Sequence, residues 1–212
     1  MTINNFRRRT LGAVAAGALL PKGFALAQAT TKIQYLTPFG YLINFFETMY
    51  ADTGGFFAKE GLDVQIIGGR GSAMAVQQVS AGNVLVSRTG GTDLIKAYAK
   101  DPSLVAIAEI FQRDLFHVVS PAAKPIRAPK DFAGKNVGLI SQGGAAENLL
   151  DMMLARDGVP TEGITRQVTG DNPGAFELMS AGRVDAIFLT ANNVSVLQSQ
   201  KRPIHVFSTD QF

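Results

Sequence analysis

The chain has 212 residues, of which 46% are hydrophobic, and it contains 20 basic residues, 17 acidic residues and no cysteine. This apolar fraction excludes an intrinsically disordered chain, and the lack of cysteine excludes disulfides, thiolate metal sites and cysteine nucleophiles. The length is sufficient for one large hydrophobic core or two small ones.

The sequence predicts that residues 1–29 are an export signal, with Ala27 as the alternative last residue. Arg7, Arg8 and Arg9 precede a short apolar run, which is followed by a stretch of small residues. The run is too short to span a bilayer, so we expect no stable membrane insertion. The arginines are typical of the twin-arginine route, with general secretion as the alternative. We therefore expect the mature protein in the periplasm.

The charge is nearly balanced once this signal is set aside. The signal holds four basic residues and no acidic one, which leaves 16 basic against 17 acidic residues. A balanced chain predicts no basic surface that would attract nucleic acid, so we expect no nucleic-acid partner.

After the signal, short apolar runs alternate with amphipathic stretches. Runs rich in β-branched residues predict strands, and apolar positions three and four residues apart predict helices. The first half predicts strands at 32–37, 63–67, 84–88 and 104–110, with helices at 44–60, 72–81 and 92–100 between them.

The same order recurs in the second half, where the phrase Ser80-Ala81-Gly82 is repeated as Ser180-Ala181-Gly182. Predicted strands lie at 136–140, 164–169, 184–189 and 203–207, and predicted helices at 145–157, 173–181 and 192–200. Such alternation predicts an α/β fold of two lobes, each a mainly parallel sheet flanked by helices. Two similar lobes imply a cleft between them. The proline-rich stretch 120–129 predicts an exposed connection.

Three phrases, in this order and behind an export signal, resemble type 2 periplasmic substrate-binding proteins. They occupy 55–64, 131–138 and 181–186. The resemblance is to the branch that serves importers of sulfonates, taurine, nitrate and thiamine pyrimidine precursors. It implies lobe 1 over 30–115, lobe 2 over 116–208, and the start of a return to lobe 1 over 209–212.

The sequence departs from the family pattern in two respects. Leu85 stands where the family usually carries an aspartate in the turn after Gly82. Family members also return from the second lobe to complete the first, whereas this chain ends at Phe212, near that return. We therefore expect an incomplete lobe 1.

The resemblance implies binding without turnover by a monomer. Two lobes would close on a small-molecule ligand about the crossing segments 115–118 and 206–208, and the closed form would dock on the permease and ATPase subunits of an ABC importer. We expect no cofactor, metal or catalytic residue, and we expect His117 and His205 to be structural. Two alternatives are a pyrimidine synthase of related fold, whose cysteine-rich motif is absent, and the sensing domain of a transcription regulator, whose helix-turn-helix is absent.

Candidate ligand residues lie where strands end and helices begin, because ligands of open α/β sheets bind beyond the carboxyl ends of strands. They offer aromatic rings, hydroxyls, amides, a guanidinium or backbone N–H groups: Phe39, Tyr41, Arg70, Gly71, Ser72, Arg88, Thr89, Ser141, Gln142, Gly143, Gly144, Thr190 and Asn192.

These residue types favour a small anion such as a sulfonate or carboxylate. The helix starts supply N–H donors, and Arg88 would form two parallel hydrogen bonds with such a group. A salt bridge within lobe 1 is the alternative for Arg88. Phe39 and Tyr41 leave room for the second ligand class, a planar pyrimidine ring.

Overall fold

The structure is a computed structural model that describes residues 30–210 and residue 212. The predicted export signal therefore lies outside the described residues. Two separate sheets are present, one of three strands and one of five. We call the part of the chain that carries the first sheet lobe 1 and the part that carries the second sheet lobe 2.

Lobe 1 contains a fully parallel sheet in the order β2-β1-β3. Its strands are β1 (Thr31–Thr37), β2 (Leu62–Gly68) and the short β3 (Val86–Ser87). Its helices are α1 (Phe46–Thr53), α2 (Phe56–Lys59), α3 (Ser72–Ser80) and α4 (Gly91–Tyr98), and a 3₁₀ turn at Ile43–Phe45 precedes α1.

Lobe 2 contains a mixed sheet in the order β6-β5-β7-β4-β8. Its strands are β4 (Phe116–Pro121), β5 (Asn136–Leu139), β6 (Thr165–Val168), β7 (Ala186–Thr190) and β8 (Ile204–Ser208). Its helices are α5 (Ala145–Arg156), α6 (Pro173–Ser180) and α7 (Ala191–Ser199), with a 3₁₀ turn at Pro129–Phe132. Strand β4 runs antiparallel to both β7 and β8, and the other pairs are parallel.

The repeated Ser-Ala-Gly phrase performs the same local task in both lobes. Gly82 and Gly182 follow α3 and α6 with left-handed φ values of 71° and 70°. Their N–H groups donate to Val79 and Met179, at 2.9 and 3.0 Å. Glycine takes this conformation without a Cβ clash, so each phrase ends its helix and turns the chain toward the next strand.

Three sequence predictions about elements are wrong. The predicted helix at 44–60 is divided into α1 and α2, because Gly55 between them has a φ of 68°. The predicted strand at 104–110 is absent, and Ile107 and most of its other residues are exposed. The apolar run alone did not ensure pairing, since a strand also needs a neighbour with free backbone groups. Finally, stretch 120–129 is not simply exposed, because β4 runs to Pro121 and Ile126 is buried.

The main hydrophobic core lies on both faces of the lobe 2 sheet. Alternation along β4 and β7 sends Val118 and Phe188, which are paired in register, into one cluster with α5. Val119 and Ile187, the next pair, enter a second cluster with α6 and α7. This alternation follows from the two-residue period of a strand, and it fixes where the loops at the ends of β5 and β7 lie.

Candidate ligand cleft between the two lobes

The loops at the carboxyl ends of the lobe 1 strands contact those of lobe 2. Gly71, which follows β2, lies so near Ser141, which follows β5, that a Cβ built on Gly71 would be 3.0 Å from the Ser141 Cβ. The backbone N–H of Ala145 donates to the Ser72 hydroxyl at 3.0 Å. The structure therefore brings together several of the predicted residues from both lobes.

The N-termini of α3, α4 and α5 converge at this contact. A Cβ built on Gly90 would lie 2.5 Å from the Ala145 Cβ, and a Cβ on Gly144 would lie 2.8 Å from the Ser72 hydroxyl oxygen. Only glycine permits so close an approach at these two positions. The positive ends of three helix dipoles are thereby concentrated in one region.

The protein itself already occupies the donors at the start of α5. The N–H of Gly143 donates to the carboxylate of Glu147 at 2.6 Å, and the N–H of Ala145 donates to Ser72. A carboxylate near a helix N-terminus is stabilised by the dipole, as an anionic ligand would be. An anion at this helix start would have to displace these contacts.

A hydrogen-bond chain links α4 of lobe 1 to α5 of lobe 2. Lys96 donates to the Asn148 amide oxygen at 2.9 Å, and the Asn148 amide nitrogen donates to Asp93 at 2.6 Å. Burial raises the pKa of Asp93 above its ordinary value, and hydrogen bonds from Ser72 and Thr89 offset part of that rise. The junction between the lobes thus includes a buried carboxylate.

Arg88 makes its contacts inside lobe 1. Its guanidinium donates to the carboxylate of Glu47 and, at 2.9 Å, to the backbone carbonyl of Asn44. The Arg88 side chain is only 11% exposed and lies over the rings of Phe45 and Phe111. The salt bridge that the sequence left as the alternative is therefore present.

The two predicted aromatic contacts differ in position. Phe39 is half-buried and packs against the lobe 2 core, so it spans the lobe junction. Tyr41 is 66% exposed, and its hydroxyl donates to the Ile66 carbonyl at 3.4 Å. Arg70 is exposed and forms a backbone bridge with Phe39.

The lobe 2 candidates divide in the same way. Thr190 is buried, and both its N–H and its hydroxyl donate to Asp171, at 3.0 and 2.8 Å. Gln142 and Gly143, which follow Ser141 in the chain, are exposed. Asn192 is exposed, and its amide donates across the junction to the Asn44 side chain.

Sequence reasoning missed four polar residues of the junction: Asn44, Glu47, Asp93 and Asn148. Each lies within a helical stretch, six to ten residues after the end of the preceding strand. Their partners lie far away in sequence, and Asn44 and Asn192 are 148 positions apart. A local signal does exist, because a polar residue on an otherwise apolar helix face indicates a buried partner.

Comparison with known protein families identifies the chain. Residues 43–212 match the family model described as NMT1/THI5 like. The chain belongs to this family. It is 29% identical over 156 residues to the formylaminopyrimidine-binding protein of Halalkalibacterium halodurans, a match that covers 73% of this chain and 46% of that protein.

Solved structures show the same fold. A protein from Bordetella bronchiseptica RB50 has a TM-score of 0.70 at 25% identity, covering 84% of this chain and 56% of that chain. The alkanesulfonate-binding protein SsuA from Xanthomonas axonopodis pv. citri, bound to MOPS, has a TM-score of 0.65 at 16% identity, covering 84% and 60%. The family is one of type 2 periplasmic binding proteins, as the resemblance implied, and two of the relatives named here are binding proteins. This chain spans about half of the length of these relatives.

The described residues contain neither a membrane-spanning helix nor a cluster of metal-ligand side chains. No helix among residues 30–210 is long and apolar enough to cross a membrane. Within the same part of the chain, no group of three His, Cys, Asp or Glu side chains is placed to hold a metal ion.

Proposed function

We propose that this chain is the solute-binding component of an ABC importer, which captures a small solute between its lobes in the periplasm and delivers it to the permease and ATPase subunits. The observation that carries the proposal is the meeting of strand ends from both sheets at one junction. Open α/β sheets bind ligands at this edge. Family membership supports the same function.

Closure requires that the two crossing segments bend together. The start of β4 pairs with the end of β8, because the two strands are antiparallel neighbours. His117 lies opposite Ser208, and Val118 lies opposite Phe207. Backbone hydrogen bonds between them make the two crossings one unit. Rotation about this pair would separate the α3 and α4 starts from the α5 start and open the cleft.

We further propose an aminopyrimidine-like ligand in preference to a sulfonate or carboxylate. Arg88 is engaged by Glu47, and two N–H groups at the α5 start are engaged by Glu147 and Ser72, so the groups expected to hold an anion have internal partners. The relative with 29% identity is named a formylaminopyrimidine-binding protein. SsuA, at 16% identity, is evidence for the fold alone. Phe39 and Tyr41 would contact the ring.

Thermal unfolding of the purified chain with three probes tests this function: a formylaminopyrimidine, MOPS and arginine. A ligand at 100 times its Kd stabilises the folded state by about 2.7 kcal/mol. We expect the pyrimidine to raise the Tm and the other two to leave it unchanged. A rise with MOPS alone would contradict the proposed ligand class, and no rise with any probe would contradict solute binding of these three kinds.

A matched pair of variants tests the location. Gly144→Asp places a side chain against the Ser72 and Ser141 hydroxyls, and it should abolish the pyrimidine-dependent rise in Tm. Gly91→Asp makes the same change where a Cβ meets nothing within 4 Å, and it should retain the rise. Equal binding by both variants would place the ligand elsewhere.

A further inference from the structure

One carboxylate at the lobe junction has an oxygen without a partner. Oε1 of Glu47 accepts from Arg88, but Oε2 is buried and receives no hydrogen bond from any residue in the described part of the chain. Buried carboxylate oxygens are almost always hydrogen-bonded, because burying a charged acceptor without a donor costs several kcal/mol or more. An acceptor of this kind indicates a donor from outside the described residues.

The position of Glu47 connects this oxygen to the cleft. Glu47 lies in the first turn of α1, one helical turn after Asn44. The Asn44 side chain is buried and accepts from Asn192 of lobe 2, so this turn adjoins the lobe junction. Residues three apart on a helical turn are neighbours, which places the Glu47 carboxylate beside the interlobe contact.

The surroundings of Glu47 determine what kind of donor fits. Arg88 balances the carboxylate charge and holds it in place, and the Arg88 guanidinium itself lies over the rings of Phe45 and Phe111. The remaining oxygen is therefore an acceptor within a pair that has no net charge. A neutral N–H group satisfies it, whereas an anionic group would be repelled by it.

We propose that Oε2 of Glu47 accepts a hydrogen bond from an amino group on a planar heterocycle bound in the cleft, and that Arg88 is the positioning residue that orients this carboxylate. The proposal rests on the proposed function and specifies its ligand. Glu47 is then the residue that distinguishes amino-substituted rings from rings without the amino group. A site that donates or accepts one specific hydrogen bond rejects ligands that leave it unpaired.

Calorimetric titration with two probes separates this role from a structural one. The probes are 4-aminopyrimidine and pyrimidine, which differ only in the amino group. We expect the parent to bind the amino probe more tightly. Glu47→Gln should lower the affinity for 4-aminopyrimidine about 10-fold to 100-fold and leave the affinity for pyrimidine unchanged, because only 4-aminopyrimidine loses a charge-assisted hydrogen bond.

Two further variants complete the experiment. Asp52→Asn makes the corresponding change at an exposed site on α1 and should behave as the parent. Glu47→Asp keeps the charge that pairs with Arg88 but withdraws the carboxylate by one methylene, so it provides the test if Glu47→Gln does not fold. Glu47→Asp should also lower the affinity for 4-aminopyrimidine and leave the affinity for pyrimidine unchanged.

The outcomes distinguish this assignment from the function on which it rests. If the parent binds 4-aminopyrimidine and the folded Glu47 variants bind both probes as the parent does, the Glu47 assignment is wrong and the proposed ligand class stands. If the variants lower the affinity for both probes equally, Glu47 has a structural role and the assignment is again wrong. If the parent binds neither probe, the ligand class and the assignment both fail.

Discussion

The two lobes end their helices with the same local sequence pattern, but they differ in how many hydrophobic residues they bury. Of the buried hydrophobic residues in the described part of the chain, 6 precede β4 and 25 lie from β4 onward. Exposed large hydrophobic residues show the opposite distribution, with 12 before β4 and 4 after it. The hydrophobic core of lobe 1 is therefore much smaller than that of lobe 2, although the glycines that end their helices, Gly82 and Gly182, have almost the same backbone conformation.

The number of strands in each sheet explains this difference. The five-stranded sheet of lobe 2 has a hydrophobic cluster on each face, whereas the three-stranded sheet of lobe 1 has one small cluster around Leu36, Ala75 and Val84. Strand β3 has only two residues, and no strand pairs with its outer edge within the described residues. Local patterning forms the elements of both lobes, but the buried area that stabilises them is concentrated in lobe 2.

Truncating one core side chain in each lobe should show the largest effect. Phe188 is fully buried in the lobe 2 core, so Phe188→Ala should lower the free energy of unfolding by about 3–5 kcal/mol. Leu36→Ala in lobe 1 should cost about 2 kcal/mol, the low end of the range for such a truncation, because partly buried neighbours can close around the missing atoms. Urea unfolding monitored by circular dichroism measures both, and equal losses would remove the asymmetry between the lobes.

Amide exchange should reveal the same asymmetry without a mutation. We expect amides of β4, β5 and β7 to exchange at least about 100-fold more slowly than those of β1 and β2, because few buried apolar contacts oppose local opening of lobe 1. The exposed apolar residues of lobe 1 should also promote association, measurable as mass by light scattering. Uniform protection across both sheets in a monomeric protein would contradict this prediction.

The fold could be predicted from the sequence to the extent that it depends on local signals. Alternating strand and helix patterns predicted an α/β fold, and repeated glycine phrases predicted where helices end. Pairing depends on distant residues, so neither the missing strand at 104–110 nor the antiparallel course of β4 could be derived from local pattern.

The junction between the lobes was predicted in outline, but its contacts were not. The rule of strand ends led to Ser72, Ser141 and Asn192, which the structure brings to the junction. It could not predict that Glu47, 41 positions from Arg88, would engage the guanidinium. Electrostatic pairing depends on the folded geometry, so a cation at a strand end indicates a charged partner without identifying it.

The smallest effect concerns the buried carboxylate that joins the lobes. Burial raises the pKa of Asp93, so between the ordinary aspartate pKa and this raised value the folded state binds more protons than the unfolded state. The contribution of Asp93 to stability is therefore fully present below the ordinary pKa and is lost as the pH rises through the folded pKa.

Asp93→Asn isolates this contribution, because the amide oxygen can still accept from Asn148 and carries no charge. We expect the parent to lose stability relative to Asp93→Asn as the pH rises through this window, measured as the difference in Tm at each pH. Asp114 also has a pKa raised by burial, but it is present in both proteins and cancels in the difference. A constant difference at all pH values would show that the carboxylate keeps its ordinary pKa, and that the junction between the lobes is open to water at α4.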